Sequence, residues 1–180
     1  MAEPRSIARA LDAASHSAPT YPRDDDPAAG YTVADYRTTI GYGVVTFQTA
    51  REGLRTWQAH QVPGLRVFPI RESVQLGSTY LLTFGTSLLS IAAPCRVTSV
   101  IDEPWHYAFT YATLPGHPEV GEETFDLHLD LDDVVFTISS TSKPNGRLAG
   151  SPPGRRVQRS TSKRYLRSLE RYVQRHSPTS

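Results

Sequence analysis

The chain has 180 residues, 38% hydrophobic and 21% charged, with one cysteine, Cys95. That length suits a single domain able to bury about 70% of its unfolded surface, and a lone thiol excludes an internal disulfide or a multi-cysteine zinc centre. The net charge of +1 conceals a split, with −8 over residues 1–142 and +9 over residues 143–180. No apolar run approaches the roughly 18 residues of a membrane span. Arg5, Arg9 and Asp12 interrupt the first fourteen residues, so a signal-peptide core is not expected and the protein is expected in the cytoplasm.

Residues 1–30, Ala/Pro-rich with an Asp24-Asp25-Asp26 run, read as a flexible arm in which Ile7, Ala10 and Leu11 allow one short helical turn or two. The single folded domain is expected over 31–180. Residues 35–42 are β-permissive and end in Gly41-Tyr42-Gly43, which suits a sharp strand exit. A helix is predicted over 49–61. Thr49 and Glu52 have capping-box spacing, and Phe47, Ala50, Leu54, Trp57 and Gln61 form one stripe. Val62-Pro63-Gly64 stops it. Six strands are then predicted over 65–70, 78–84, 88–101, 105–113, 122–131 and 134–142, with Pro69, Pro94 and Pro104 marking edges, bulges or strand ends. The loop 146–154 leads to a long helix over 155–176. Its apolar stripe is Val157, Thr161, Tyr165, Leu169, Tyr172 and Val173, widened by Leu166, and its opposite face is Arg and Lys.

An antiparallel meander must cover its apolar face, and the terminal helix is the only long cover available. The expected fold is therefore α+β: a curved antiparallel sheet of about seven strands wrapped on a C-terminal helix, with a cavity between them of the kind that binds small molecules. The basic face raises nucleic acid or an anionic membrane surface as partners. Because the same helix carries a full apolar stripe, it reads instead as the outside of a cover balancing an acidic sheet.

Alternation allows the strands to be paired. With Asp132-Asp133 as a two-residue turn, Leu129 meets Phe136, Leu127 meets Ile138, Phe125 meets Ser140 and Glu123 meets Ser142. On the preceding strand Tyr107, Phe109, Tyr111 and Thr113 share a face, Thr113 approaching Glu123 and Tyr111 nearing Phe125. The inner wall is thus aromatic and aliphatic, with a polar end of Glu123, Thr113, Tyr111, Ser140 and Ser142 overhung by His117. A carboxylate among apolar neighbours has its pKa raised and can act as acid or base near neutral pH. The blander alternatives are a Glu123 that is half-solvated at the strand's start or that pairs with Arg37 or Arg96, a loop-shaping His117, and core tyrosines with tethered hydroxyls. Trp57 would then be packing and His60 a helix-end cap.

Asp126, His128 and Asp130 alternate on the other face, but three donors along one straight strand splay too far for one ion, so no metal is expected. There is no phosphate loop and no Gly-x-Ser-x-Gly elbow, and Cys95 between Pro94 and Arg96 reads as buried.

Several strings carry a resemblance. Pro94-Cys95-Arg96-Val97, Asp102-Glu103-Pro104 and Phe109-x-Tyr111-x-Thr113-Leu114-Pro115-Gly116-His117-Pro118-Glu119-x-Gly121-Glu122-Glu123-x-Phe125 resemble a family filed as a domain of unknown function, number nineteen-ninety. Tyr21-Pro22, Gly30-Tyr31, Gly41-x-Gly43, Trp57-x-x-His60, Ser142-x-Pro144 and Arg156-x-Gln158 are similar too, so the likeness runs over about residues 20 to 175. That family looks like a member of the helix-grip (START-like) superfamily of lipid-transfer domains, plant hormone-binding proteins and polyketide cyclases and dehydratases. The resemblance implies the same fold. The segment over 83–91 and the acidic arm look particular to this chain.

The functional expectation is a small cofactor-independent enzyme that dehydrates or cyclises a lipophilic, polyketide-like substrate in natural-product biosynthesis. Glu123 would be the acid or base, with His117 and Tyr111 steadying an enolate oxygen or protonating a leaving hydroxyl. Trp57, Tyr107, Phe109, Thr113, Phe125, Phe136 and Ser140 would contact substrate. The rival is a non-catalytic carrier of a lipid-like molecule. No nucleic-acid partner and no stable membrane insertion are expected, and the chain is expected as a monomer or homodimer.

Overall fold

Seven strands of alternating pattern pair into one antiparallel sheet, in the order β1-β7-β6-β5-β4-β3-β2. They are β1 (Thr32–Tyr42), β2 (Leu65–Phe68), β3 (Thr79–Gly85), β4 (Ser90–Glu103), β5 (His106–Thr113), β6 (Glu119–Asp130) and β7 (Asp133–Pro144), with helices α1 (Arg5–Ser15), α2 (Gly43–Arg55) and α3 (Pro152–His176). A computed structural model of the chain describes residues 5–21, 30–70, 72–85, 90–145 and 152–177, without the side chains of 90 and 152–160. The Asp24-Asp25-Asp26 run, the loop over 146–151, residues 86–89 and the side chain of Val157 lie outside that description.

On one face of the sheet Tyr107, Phe109, Phe125, Leu127, Val134, Phe136 and Ile138 are almost wholly buried against α2 and α3. From α3, Tyr165, Leu169 and Val173 complete this core, while Lys163, Arg164, Arg167, Arg171 and Arg175 face solvent. Each buried apolar side chain contributes roughly 1.5–3 kcal/mol, whereas like charges at i,i+4, such as Arg167 and Arg171, cost only about 0.2–0.5 kcal/mol. Burial therefore holds a cation-rich helix on the sheet. The two helices approach closely at Gly53, where an added Cβ would sit 2.8 Å from Leu169 Cδ1 and Tyr172 Cδ1.

Three local expectations are corrected. Residues 5–15 form a helix of three turns, longer than the one or two turns expected there. Arg96 Nη2 donates to Ala14 O at 3.2 Å and Ser15 O at 2.8 Å, seating α1 against the outer face. The second helix begins six residues before Thr49, and Thr49 Oγ1 donates to Val45 O at 2.9 Å within the helix, so no capping box forms. That helix also stops at Arg55, because Trp57 takes a left-handed conformation (φ 61) and a 3-10 turn follows over Gln58–His60. The break rotates the chain so that His60, not Gln61, joins the Phe47, Ala50, Leu54 and Trp57 stripe.

The register is also corrected, by two residues. The β6–β7 turn is Leu131-Asp132, with Leu131 at φ 56 and fully exposed, so Asp130 pairs with Asp133 and Glu123 with Ser140. Likewise Tyr111 lies opposite Glu123, and Phe109 opposite Phe125. An even slip leaves every side chain on its expected face.

Candidate functional site

The corrected register brings Tyr111, Glu123 and Ser140 into one row across β5, β6 and β7. Tyr111 OH donates to Glu123 Oε2 at 2.5 Å, and Ser162 Oγ from α3 donates to Oε1 at 3.3 Å. Tyr165, one turn along α3, lies close enough to Tyr111 and Glu123 to share their electrostatic environment. Glu123 as a residue is half-buried, while its carboxyl group is surrounded by protein.

Burial drives the electrostatics. It pushes Glu123 up to about 7, with the carboxylate of Glu119 adding to the rise and the bonds from Tyr111 and Ser162 opposing it. Burial first, then the neighbouring Glu123, holds Tyr111 and Tyr165 well above the ordinary phenol range, so both remain proton donors at neutral pH. Burial also pushes the Cys95 thiol up, in accord with an inert core cysteine.

Two residues on this face escaped the sequence. Glu119 belongs to β6, four residues before Glu123 and on the same face, where burial raises it and Ser142 counters. Its signal was the i,i+4 spacing, masked by starting the strand at 122. Gly121 between them accommodates the backbone of β7, since a Cβ there would lie 2.1 Å from Thr141 O.

His60 is the second. It is 1% exposed, and among the described residues neither of its ring nitrogens has a hydrogen-bond partner. Its ring lies 4.4 Å from that of Tyr165, 4.8 Å from those of Trp57 and Phe125, and 6.0 Å from that of Tyr111. Burial lowers its pKa to about 3, so it is a neutral imidazole. It is not a helix-end cap. The carbonyls of Gln58 and Gln61 are met instead by Ser168 Oγ from α3, at 2.9 Å each. Trp57 Nε1, beside it, is likewise buried and unpaired. Leaving such groups unpaired costs about 1–3 kcal/mol each, which marks this spot as one that packing alone does not account for.

The other expected site residues separate into three sets. Trp57, Phe109, Phe125 and Phe136 form the aromatic wall, closed ring against ring, with Phe109 and Phe125 stacked at 4.9 Å. Tyr107 lies four residues from Tyr111 along β5; its hydroxyl is buried and unpaired, with a pKa that burial raises to about 12. Thr113 and His117 point to other duties. Thr113 Oγ1 accepts from Gly121 N at 3.0 Å and lies 2.7 Å from Thr20 Oγ1, tying the chain before β1 to the sheet. His117 Nδ1 accepts from Glu119 N at 2.9 Å, Asn145 Nδ2 donates to its carbonyl, and burial lowers its pKa to about 4. It shapes its own turn, and among the described residues no hydrogen bond joins it to Glu123. Two open grooves lie on the opposite side, one between α1 and β3 and one beside Tyr21, Ser99, Thr110 and Glu122. Neither holds these converging polar groups.

Comparison with known proteins agrees with this architecture. The profile of the family described as "Domain of unknown function (DUF1990)" matches residues 14–168. The chain belongs to that family. A UPF0548 protein of Deinococcus radiodurans is 33% identical over 153 residues, 76% of this chain and 75% of its own. A UPF0548 protein of Arabidopsis thaliana is 26% identical over 122 residues, 64% of this chain and 59% of its own. Among solved structures, Ara h 8.0201 superposes with a TM-score of 0.58 at 12% identity, over 82% of this chain and all of that one. Major latex-like protein 151 of Panax ginseng superposes with a TM-score of 0.50 at 18% identity, over 84% of this chain and all of that one. At such identities the likeness is one of fold, and the fold is the expected helix grip. Among the described residues, no helix is long and apolar enough to cross a membrane.

Proposed function

We propose that this DUF1990 protein takes a lipophilic, polyketide-like molecule between its sheet and α3 and dehydrates or cyclises it by acid–base chemistry. The observation that carries the reading is Glu123: a carboxyl raised to about 7 by burial, held by Tyr111 and Ser162 on an aromatic wall. Near neutral pH such a group is populated in both protonation states, the condition under which one residue serves as base and then as acid. On a β-hydroxy carbonyl substrate the carboxylate would remove the α-proton. The C–O bond to the β-hydroxyl breaks, and the same carboxyl returns its proton to the leaving group as water. Tyr165, still protonated, would donate to the enolate oxygen, and Tyr111 would do so once Glu123 has taken the α-proton and released the Tyr111 hydroxyl. The wall rings touch one another, so entry requires them to move.

A carrier of a lipid-like molecule is the second reading. It is favoured by His117, which stays within its own turn and leaves Glu123 without the expected second acid–base partner. Incubation with candidate β-hydroxy polyketide intermediates, followed by mass spectrometry, separates the two. The enzyme reading expects loss of 18 mass units as water (about 18 Da) or a cyclised isomer, abolished in Glu123→Gln and retained in His117→Ala. Binding without product across the substrate panel favours the carrier, and unchanged turnover in Glu123→Gln overturns the assignment of Glu123.

A further inference from the structure

The outer face of β5 and β6 carries a second constellation that the inner site does not use. His106 on β5 lies directly opposite His128 on β6, and Asp126, two residues before His128, shares their face. The two imidazoles stack with centroids 3.9 Å apart and planes 16° from parallel. Asp126 bridges them, with Oδ2 3.1 Å from His106 Nε2 and Oδ1 2.5 Å from His128 Nδ1. One donor atom from each of the three residues lies within 4.8 Å of the others.

The sequence argued against a metal because Asp126, His128 and Asp130 diverge along one strand. That objection holds for Asp130, which stands outside the cluster. The third donor comes across the ladder from His106, a neighbour that spacing along one strand does not reveal. The geometry points to a binding site for a divalent transition-metal ion of the zinc class, held by His106 Nε2, the Asp126 carboxylate and His128 Nδ1.

Donor chemistry and placement both support it. Two imidazole nitrogens with one carboxylate suit Zn²⁺, Ni²⁺ or Cu²⁺, whereas Mg²⁺ and Ca²⁺ favour all-oxygen sets. The side chains of His106, Asp126 and His128 keep 22%, 25% and 48% of their surface, so an ion can reach them from solvent. β5 and β6 are inner strands flanked by β4 and β7, so the three Cβ positions are fixed by paired backbone. Only side-chain torsions need adjust to bring the donors to the roughly 2.0–2.1 Å that Zn²⁺ requires. His106 Nε2 is already hydrogen-bonded to Asp126, and His128 Nδ1 lies in ion-pair contact with the same carboxylate. Three protein ligands leave a fourth position for water, the open form of zinc coordination. Because this site is on the opposite face from Glu123, it stands or falls independently of the acid–base reading.

The test is titration of tag-free, chelator-stripped protein with Zn²⁺ alone, by calorimetry and by competition with a chromogenic chelator. One ion per chain is expected, with a Tm that rises with Zn²⁺ concentration. His106→Ala, Asp126→Ala and His128→Ala should each weaken binding at least about tenfold. The double variant His16→Ala/His176→Ala, which removes two exposed histidines elsewhere, should bind as the parent does. His128 is the most exposed of the three, so its variant decides the matter if another fails to fold. Absence of saturable binding, or binding that survives His128→Ala unchanged, overturns the proposal.

Discussion

The two faces of β5 and β6 use similar residue types to opposite ends. Outside, His106, Asp126 and His128 satisfy one another within reach of water. Inside, a strand's thickness away, Glu123 and His60 are enclosed by aromatic rings; the carboxyl is raised to about 7 and the imidazole lowered to about 3, both by burial. The lesson is that alternation assigns each polar residue to a dielectric environment, and that environment decides its chemistry.

That contrast can be broken by substitution. Phe125→Ala, on the inner face, should cost about 3–5 kcal/mol in denaturant unfolding, because it opens a cavity in a closed wall. Its outer-face neighbour Thr124→Ala loses one bond to Thr110 and should cost only about 1 kcal/mol. Equal losses would deny that the inner wall is the core.

Acid titration sharpens it next. His60 and His117 fold with pKa values lowered from 6.5 to about 3 and about 4, so the unfolded chain binds their protons first. Their stabilisation is full above pH 6.5 and is lost as pH falls toward those folded values. For His60 the loss at pH 4 is roughly 3 kcal/mol. His60→Phe should remove that share and raise stability at neutral pH by filling the cage without unpaired nitrogens. If His60 contacts ligand, the same variant binds ligand more weakly while being more stable.

Glu123 works in the reverse sense. Its folded pKa of about 7 lies above the ordinary 4.5, so the native state holds a proton that the unfolded chain releases. The penalty is absent below pH 4.5, grows as pH rises to 7, and is complete above it. Glu123→Gln should therefore gain roughly 2–3 kcal/mol at pH 8 and much less at pH 5 in paired urea melts. The smallest effect belongs to the exposed Arg51–Asp102 pair, whose side chains keep 35% and 44% of their surface. Arg51→Ala should cost under about 1 kcal/mol and less still at high salt.

Much of this was readable in the residues. Alternation located all seven strands and their buried faces, and the stripe of Tyr165, Leu169 and Val173 identified α3 as the cover. Register was not readable, because period-2 alternation is blind to a slip of two and Leu131 carries no turn signal. The enclosure of Glu123 was legible from its position at the end of an apolar row. The entry of His60 was not, since it depends on a left-handed tryptophan that no propensity anticipates. Nor was the partnership of His106 with Asp126 and His128, which exists only once β5 and β6 are paired.

The central claim is that Glu123 is a buried carboxyl poised near neutral pH. Carbon-13 carboxyl resonances of glutamate-labelled protein, followed by NMR from pH 3 to pH 9 (a range of about 6 units around the ordinary carboxylate value), read it directly, with Glu123→Gln supplying the assignment. A midpoint near 7 for the resonance missing from the variant is the predicted result. A midpoint at the ordinary value of 4.5 would contradict it.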